Sequence, residues 1–122
     1  FAAAIANGDD TVTLWGDGSP TRDFLYVDDA AEAIMRVLET YDDPQPLNIG
    51  SGKEVSIKDL AVMIAIKMGF VGEIVWDKTM PNGQMRRQLD STRAKNALDW
   101  QATTSFGEGI ERTIAWYRES AR

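Results

Sequence analysis

Helix-start signals divide this chain into short pieces. An aspartate or serine stands three positions before an acidic residue at Asp29, Ser56 and Ser105, which is the spacing of a helix capping box. Only short apolar runs of strand composition lie between these starts. Because such strands are too short and scattered for a self-contained Rossmann sheet, we predict a mixed α/β fold: a small helical subdomain held together by short β-strand pairs.

The predicted helices end at residues that cannot continue them. Gly8 ends a first helix, Pro44 and Pro46 follow the second, and Gly69 ends the third. A short fourth helix follows Ser91, and a last helix starts at residue 105. The segments predicted to be extended are 11–15, 22–27, 47–52, 73–76 and 88–90.

The 122 residues suit one domain, and the chain begins at Phe1 inside a helical pattern. A native domain seldom starts in mid-helix. We therefore interpret residues 1–122 as a fragment of a longer protein, and the alternative is a short gene whose first residues were removed.

Composition excludes several classes of function. The net charge is −6 without a long block of like charges, which argues against general binding to nucleic acid or anionic membranes. The sequence has no cysteine and no histidine, so disulfides, thiolate metal sites and the commonest general base are excluded. No apolar run reaches the length of a membrane span. We expect a cytoplasmic protein that binds no metal, nucleic acid or membrane.

The usual catalytic motifs are missing from the sequence. A Ser-His-Asp triad is impossible without histidine. The segment "GSGK" at 50–53 is only superficially similar to a phosphate-binding loop, because Glu54 stands where serine or threonine should hold magnesium. A turn explains it better. Aspartate pairs at 9–10, 28–29 and 42–43 lie at element boundaries, where capping and solvated turns account for them. We predict no catalytic residue.

Two features are candidates for anion binding. Arg86 and Arg87 follow a Pro-Asn-Gly turn, and the planar guanidinium fork suits phosphate oxygens. The alternative is a pair of surface charges. Trp15 and Arg22 flank the turn "GDGSP", and an indole beside a guanidinium suits a planar base or a sugar phosphate. The alternative is a core tryptophan with a structural arginine paired to a nearby aspartate, at position 23 or 28.

Three stretches together resemble a known enzyme family. They read "VTLWGDGSPTRDFLYVDDAAEAI", "LNIGSGKEVSIKDLA" and "PNGQMRRQLDSTRAKNALDW". In this order they resemble the C-terminal part of the GDP-L-fucose synthase family, which belongs to the extended short-chain dehydrogenases/reductases. The resemblance extends from residue 1 to about residue 118. "RDFLYVDD" and "NIGSG" are shared across the superfamily, whereas "WGDGSPTR" and "PNGQ-x-RR-x-LD" look particular to this branch.

The resemblance implies a two-domain enzyme whose Rossmann domain binds NADP(H) and carries a Tyr-x-x-x-Lys pair with a serine. Its smaller C-terminal domain grips the nucleotide sugar. The family converts GDP-4-keto-6-deoxymannose to GDP-L-fucose by epimerising two carbons and reducing the ketone. This chain contains neither the cofactor fingerprint, nor a Tyr-x-x-x-Lys pair, nor a histidine. We therefore expect the substrate-binding portion of such an enzyme, without its Rossmann domain, without bound cofactor and without catalysis by this chain alone.

The resemblance also implies roles for single residues. The family's substrate-binding tryptophan and arginine match Trp15 and Arg22, and its binding residue in the Pro-Asp/Asn-Gly loop matches Asn82. The basic residue at the end of that loop matches Arg87, with Arg86 beside it.

The expected ligand is a GDP-sugar, bound weakly or not at all by the isolated chain. Two alternatives stay open: a related domain for UDP- or dTDP-sugars, and a folded non-enzymatic module. An apolar face left bare by the missing Rossmann domain predicts a homo-oligomer.

Overall fold

The structure is a computed structural model that describes residues 1–120, and it confirms a small mixed α/β fold. Within these residues, no helix is both long and apolar enough to cross a membrane. The helices are α1 (Ala2–Asn7), α2 (Val27–Thr40), α3 (Ile57–Met68), α4 (Thr92–Leu98) and α5 (Phe106–Ser120). The strands are β1 (Thr11–Trp15), β2 (Thr21–Asp23), β3 (Glu54–Ser56), β4 (Glu73–Asp77) and β5 (Arg86–Arg87).

The strands form two separate small sheets. In the first sheet, β1 pairs with β4 in parallel, so that Thr11 lies opposite Glu73 and Trp15 opposite Asp77. In the second, β2 is the central strand, antiparallel to β3 and parallel to β5. The predicted short strand pairs are therefore present, and a third strand is added to one of them.

The buried core joins α2 to α4 and to the segment after α4. Its buried members are Ala33, Ala94, Leu98 and Trp100. The two alanines let the helices approach closely, since a short side chain on each helix leaves little to separate them. Arg36 of α2 donates hydrogen bonds to the carbonyls of residues 98 and 99. These bonds provide partners for carbonyl groups at the C-terminal end of α4, which have none within the helix.

Several predicted helix boundaries are confirmed. Gly8 and Gly69 both adopt the left-handed conformation after α1 and α3, with φ of 71° and 78°. The Ser56 hydroxyl accepts a 2.9 Å hydrogen bond from the backbone N–H of Asp59 at the start of α3. Ser105 does the same for the third residue of its own helix, at 3.3 Å.

The predicted start of the second helix is wrong. Helix α2 begins at Val27, so Asp29 lies in its first turn, and the N-cap position is taken by Tyr26 without a side-chain hydrogen bond. The carboxylate of Asp29 is buried and accepts bonds from the Thr103 hydroxyl and the Thr104 N–H, at 3.2 and 3.0 Å. A contact across more than 70 residues thus replaces the expected local cap.

Three predicted extended segments are also corrected. The run predicted at 22–27 is a strand only over Thr21–Asp23, because α2 begins at residue 27. The segment at 47–52 pairs with no strand among the described residues, although Leu47 and Ile49 pack against the core. The strand predicted at 88–90 lies instead at Arg86–Arg87, where β2 offers a free edge.

Candidate functional site

The turn between β1 and β2 is fixed by packing on both sides. Gly18 has φ of 77°, and a Cβ there would come within 2.7 Å of the Trp76 ring. The carbonyls of Gly18 and Pro20 accept 2.9 Å bonds from the backbone N–H groups of Lys58 and Ile57. Because these N–H groups belong to the first turn of α3, the helix start holds the turn in place.

Asn82 joins this turn to the second loop. Its Oδ1 accepts a 2.8 Å hydrogen bond from the backbone N–H of Asp17, and Gly16 leaves no room for a Cβ beside the Asn82 carboxamide. The Ser19 hydroxyl and N–H donate to the Asp17 carboxylate, which lowers the pKa of that group. The Asn82 oxygen is therefore already engaged in holding two loops together.

Trp15 lies at the end of β1, where this turn begins. The residue is 68% exposed, so the alternative of a core tryptophan does not describe it. The residue pairs in register with Asp77 of β4, in the sheet that does not contain the arginines. The structure thus presents Trp15 as an open apolar surface beside the turn.

The parallel pairing of β2 with β5 brings two predicted site residues together. Arg22 and Arg87 are register partners, so their side chains project from the same face of the sheet. Arg22 donates to its neighbour's backbone, from Nη1 to the Thr21 carbonyl at 2.7 Å. Arg87 donates from Nε and Nη2 to the Gln84 side-chain oxygen, at 3.2 and 2.9 Å.

Neither guanidinium of this pair is neutralised by the protein. Within residues 1–120, no carboxylate oxygen lies within 4.0 Å of Arg22 or Arg87. The alternative of Arg22 paired with Asp23 or Asp28 is therefore not what the structure shows. Two arginines on neighbouring strands of one face, without a counter-ion among these residues, make a favourable place for an anion.

Arg86 projects from the opposite face of the same sheet. Its Nε and Nη2 donate to the two carboxylate oxygens of Glu54, both at 2.8 Å, and Nη2 also donates to the Gln88 oxygen at 2.7 Å. The Thr21 hydroxyl donates to the same carboxylate at 2.7 Å. The Arg86 hydrogen bonds, followed by that of Thr21, lower the pKa of Glu54 to about 2, and Glu54 raises the pKa of Arg86.

Asp23 fills the glycine loop that is superficially similar to a phosphate-binding motif. Its carboxylate accepts bonds from the backbone N–H groups of Ser51 and Gly52, at 2.8 and 3.1 Å, and from the Ser51 hydroxyl. The loop leads into strand β3 and not directly into a helix. Since its donors already hold a carboxylate, the loop is a structural turn, in agreement with the interpretation from the sequence.

Arg86 and Arg87 also border a cleft of about 730 Å³. It is lined by the loop 50–52, by residues between positions 84 and 92, by Lys95 of α4 and by the segment that follows α4, which includes Trp100. Trp15, Arg22 and Asn82 do not line this cleft. The predicted residues therefore form two local groups: Trp15 and Asn82 lie around the turn, and Arg22, Arg86 and Arg87 lie on the paired strands β2 and β5.

Sequence reasoning missed Glu54 and Asp23 as organising residues of this site. Both carboxylates act through partners more than 25 positions away, so no local motif reveals them. The one available signal was the alternation of Glu54, Val55 and Ser56, which is typical of a strand with two different faces. Over residues 1–120, no cluster of three or more acidic side chains could hold a metal ion.

Comparisons with known proteins find relatives that are named as enzymes of GDP-sugars and UDP-sugars. The family model described as GDP-mannose 4,6 dehydratase matches residues 1–113. The chain is 41% identical over 117 residues to GDP-L-fucose synthase 1 of Arabidopsis thaliana, covering 96% of this chain and 36% of that protein. It is 34% identical over 122 residues to a UDP-glucose 4-epimerase of Mycolicibacterium smegmatis, covering all of this chain and 39% of that protein.

Solved structures give the same result. A GDP-L-fucose synthetase from Naegleria fowleri bound to NADP is similar with a TM-score of 0.90 and 27% identity, over 98% of this chain and 38% of that one. The chain thus spans somewhat more than a third of the length of the proteins that it matches.

Proposed function

The chain belongs to the GDP-mannose 4,6 dehydratase family, and we propose that it forms the nucleotide-sugar-binding part of an epimerase/reductase similar to GDP-L-fucose synthase. In such an enzyme the reaction would convert GDP-4-keto-6-deoxymannose to GDP-L-fucose. The matching relatives carry the names of nucleotide-sugar enzymes, which supports this substrate class. The proposed role of this chain is to bind and orient the substrate.

The pairing of Arg22 with Arg87 carries the proposal. The two residues come from separate segments of the sequence, and the parallel register places them side by side without a counter-ion among the described residues. A diphosphate offers several anionic oxygens, enough to accept hydrogen bonds from two guanidinium forks. Each charge-assisted hydrogen bond of this kind contributes about 1.5–3 kcal/mol when it is well formed.

The other proposed substrate contacts lie around the turn. The exposed indole of Trp15 offers an apolar face to a base or sugar ring. The Asn82 oxygen holds the Asp17 N–H, and a hydrogen bond from the Asn82 side chain also lowers the pKa of the Asp17 carboxyl, so its proposed role is to fix the turn beside the substrate. Arg86, which is bound to Glu54, contributes positive charge near the diphosphate more than direct contact.

NADP(H) is implied for the full-length family enzymes, where it supplies the hydride that reduces a ketone. The residues of this chain do not fit that cofactor. The backbone N–H groups of the glycine loop at 50–52 are already bonded to the Asp23 carboxylate. The loop is followed by strand β3, so no helix N-terminus is available there for a phosphate. No tyrosine is followed by lysine four residues later. We therefore propose no catalytic step on this chain, and the expected cytoplasmic location and homo-oligomer also stay predictions.

Calorimetric titration with GDP, GDP-fucose and inorganic pyrophosphate tests the binding role. We expect heat of binding for all three ligands, with a millimolar or tighter dissociation constant for GDP-fucose. No heat at several millimolar of any ligand would contradict the proposal. Turnover of the keto sugar by this chain with NADPH would contradict the absence of catalysis.

A UDP-sugar is the second candidate ligand, because the UDP-glucose 4-epimerase of M. smegmatis matches the chain over its whole length. The arginine pair would bind either diphosphate, so only the base distinguishes them. Competition between GDP and UDP decides: displacement of bound GDP-fucose by GDP at much lower concentration than by UDP favours the first candidate, and the reverse favours the second.

A further inference from the structure

Strand β5 is too short to hold its own position. It consists of two residues, Arg86 and Arg87, at the edge of a three-stranded sheet. One backbone hydrogen bond outside the ladder, from the Thr21 N–H to the Met85 carbonyl at 2.9 Å, leads into it. Isolated strand pairs of this length are marginal in water, so other contacts must fix β5 in its register.

Glu54 supplies those contacts from the far strand of the same sheet. Its two oxygens accept hydrogen bonds from Nε and Nη2 of Arg86, both at 2.8 Å, and one of these oxygens also accepts a hydrogen bond from the Thr21 hydroxyl. The carboxylate thereby spans β2 and connects all three strands on one face. The Glu54 side chain is only 24% exposed, whereas the Arg86 side chain is 68% exposed, so the anion is the better anchored partner.

Strand geometry transmits this anchoring to the next residue. Consecutive side chains of a strand point to opposite faces, so fixing Arg86 toward Glu54 turns Arg87 toward Arg22. We propose that Glu54 is a positioning residue, which sets the Arg22–Arg87 pair for anion binding without touching the ligand. This inference rests on the proposed function, because it gives a role to a residue behind the proposed diphosphate site.

The positioning role and simple electrostatics predict opposite results. Glu54 is a negative charge close to a site that is proposed to bind an anion. If it acted only through its charge, Glu54→Gln would remove a repulsion and tighten anion binding. If it positions Arg87, the same variant loses the fork on Arg86 and weakens anion binding despite the gain in positive charge.

The experiment is calorimetric titration of pyrophosphate and GDP into wild type, Glu54→Gln and the exchanged pair Glu54→Arg with Arg86→Glu. We expect about fivefold weaker binding in Glu54→Gln, as residues of one hydrogen-bonded network are coupled. The exchanged pair restores an ion pair between β3 and β5 but removes the positive charge of Arg86, so we expect it to recover only part of that loss. Equal or tighter binding by Glu54→Gln would overturn the positioning role.

Amide hydrogen exchange separates this inference from the proposed function. In Glu54→Gln, the Thr21 amide that bonds to Met85 should exchange faster, while the Glu73 amide that bonds to Asp10 beside the other sheet keeps its protection. Unchanged protection at Thr21 would overturn the inference even if no ligand binds. Loss of Thr21 protection in a chain whose wild type binds no anion would leave the anchoring intact and refute the proposed function alone.

Discussion

The two faces of the three-stranded sheet use the same residue types in opposite ways. On one face, Thr21, Asp23, Glu54 and Arg86 satisfy one another or the neighbouring glycine loop. On the other face, Arg22 and Arg87 lie side by side with only neutral partners among the described residues.

The difference teaches that neighbouring arginines are not equivalent. Arg86 and Arg87 have the same chemistry and both are exposed, so only the alternation of side chains along the strand distinguishes them. A guanidinium that is bonded to both oxygens of a carboxylate has few N–H groups free for a ligand. A guanidinium that is bonded only to one amide oxygen can replace that bond by bonds to phosphate. The face whose charged groups bond to one another, with Glu54 and Arg86, supports the fold. The face of Arg22 and Arg87, whose charges have no counter-ion among the described residues, is the better candidate for binding.

Removing both arginines of the unsatisfied face is expected to have the largest effect. In Arg22→Ala with Arg87→Ala, the loss of two charge-assisted contacts should weaken GDP binding about a hundredfold or more, measured by calorimetry. The free energy of unfolding should change by less than about 1 kcal/mol, because the variant also removes repulsion between like charges.

Arg93→Ala is the matched control for that variant. Arg93 is an exposed arginine on α4 whose guanidinium donates to the Pro46 carbonyl, outside both faces of the sheet. Its removal takes away one positive charge, where the double variant takes away two, and should leave GDP affinity within about twofold. A comparable loss of affinity in Arg93→Ala would mean that general charge, and not the arginine pair, attracts the ligand.

A change on the satisfied face should act on stability instead. Asp23→Ala leaves the Ser51 and Gly52 N–H groups without their carboxylate, and we expect the free energy of unfolding to fall by about 1–2 kcal/mol. Urea denaturation measures this. Asp42→Ala removes an exposed aspartate and should change stability by less than about 0.5 kcal/mol. Equal effects of the two substitutions would remove the distinction between a structural and a solvated carboxylate.

The smallest expected effect is a loss of folding stability at acidic pH. The pKa of Glu54 is about 2 in the folded chain, below its ordinary value of 4.5, so the folded state binds fewer protons there than the unfolded state. Its contribution to stability is complete above pH 4.5 and is lost as the pH falls from 4.5 to 2. Because the Arg86 partner is exposed, the contribution is modest.

Urea denaturation across this range of pH tests the acid dependence. Wild type should lose more stability than Glu54→Gln between about pH 4.5 and 2, since the glutamine does not titrate. The other carboxylates with lowered pKa values, Asp17, Asp77 and Asp90, are common to both proteins and cancel in the difference. Identical pH profiles would show that the Glu54–Arg86 pair adds nothing to the stability of the folded chain.

Sequence reasoning identified the parts of the fold that depend on near neighbours. Gly8, Gly69 and Ser56 act as predicted, because a left-handed glycine or a capping hydroxyl works over three or four residues. Asp29 has the same local spacing as Ser56, yet its carboxylate bonds to Thr103 and Thr104. Tertiary contacts outweigh the local cap there, and the sequence pattern does not reveal them.

The site divides in the same way. The residue types at Trp15, Arg22 and Arg87 indicate anion and ring recognition, and the resemblance to a family adds Asn82. The pairing of β2 with β5, by contrast, joins segments about 65 positions apart, and its register decides which arginine faces which partner. A one-residue shift in that register is invisible in composition, yet it reverses every side chain of the strand.

That reversal has a consequence for engineering the loop before β5. Inserting one residue between Gly83 and Arg86 while β5 keeps its place on β2 would move Arg86 to the position beside Arg22 and turn Arg87 to the face of Glu54, whereas deleting one residue would put Gln88 beside Arg22. The length of this loop should therefore be changed in steps of two residues, so that each arginine stays on its own face of the sheet.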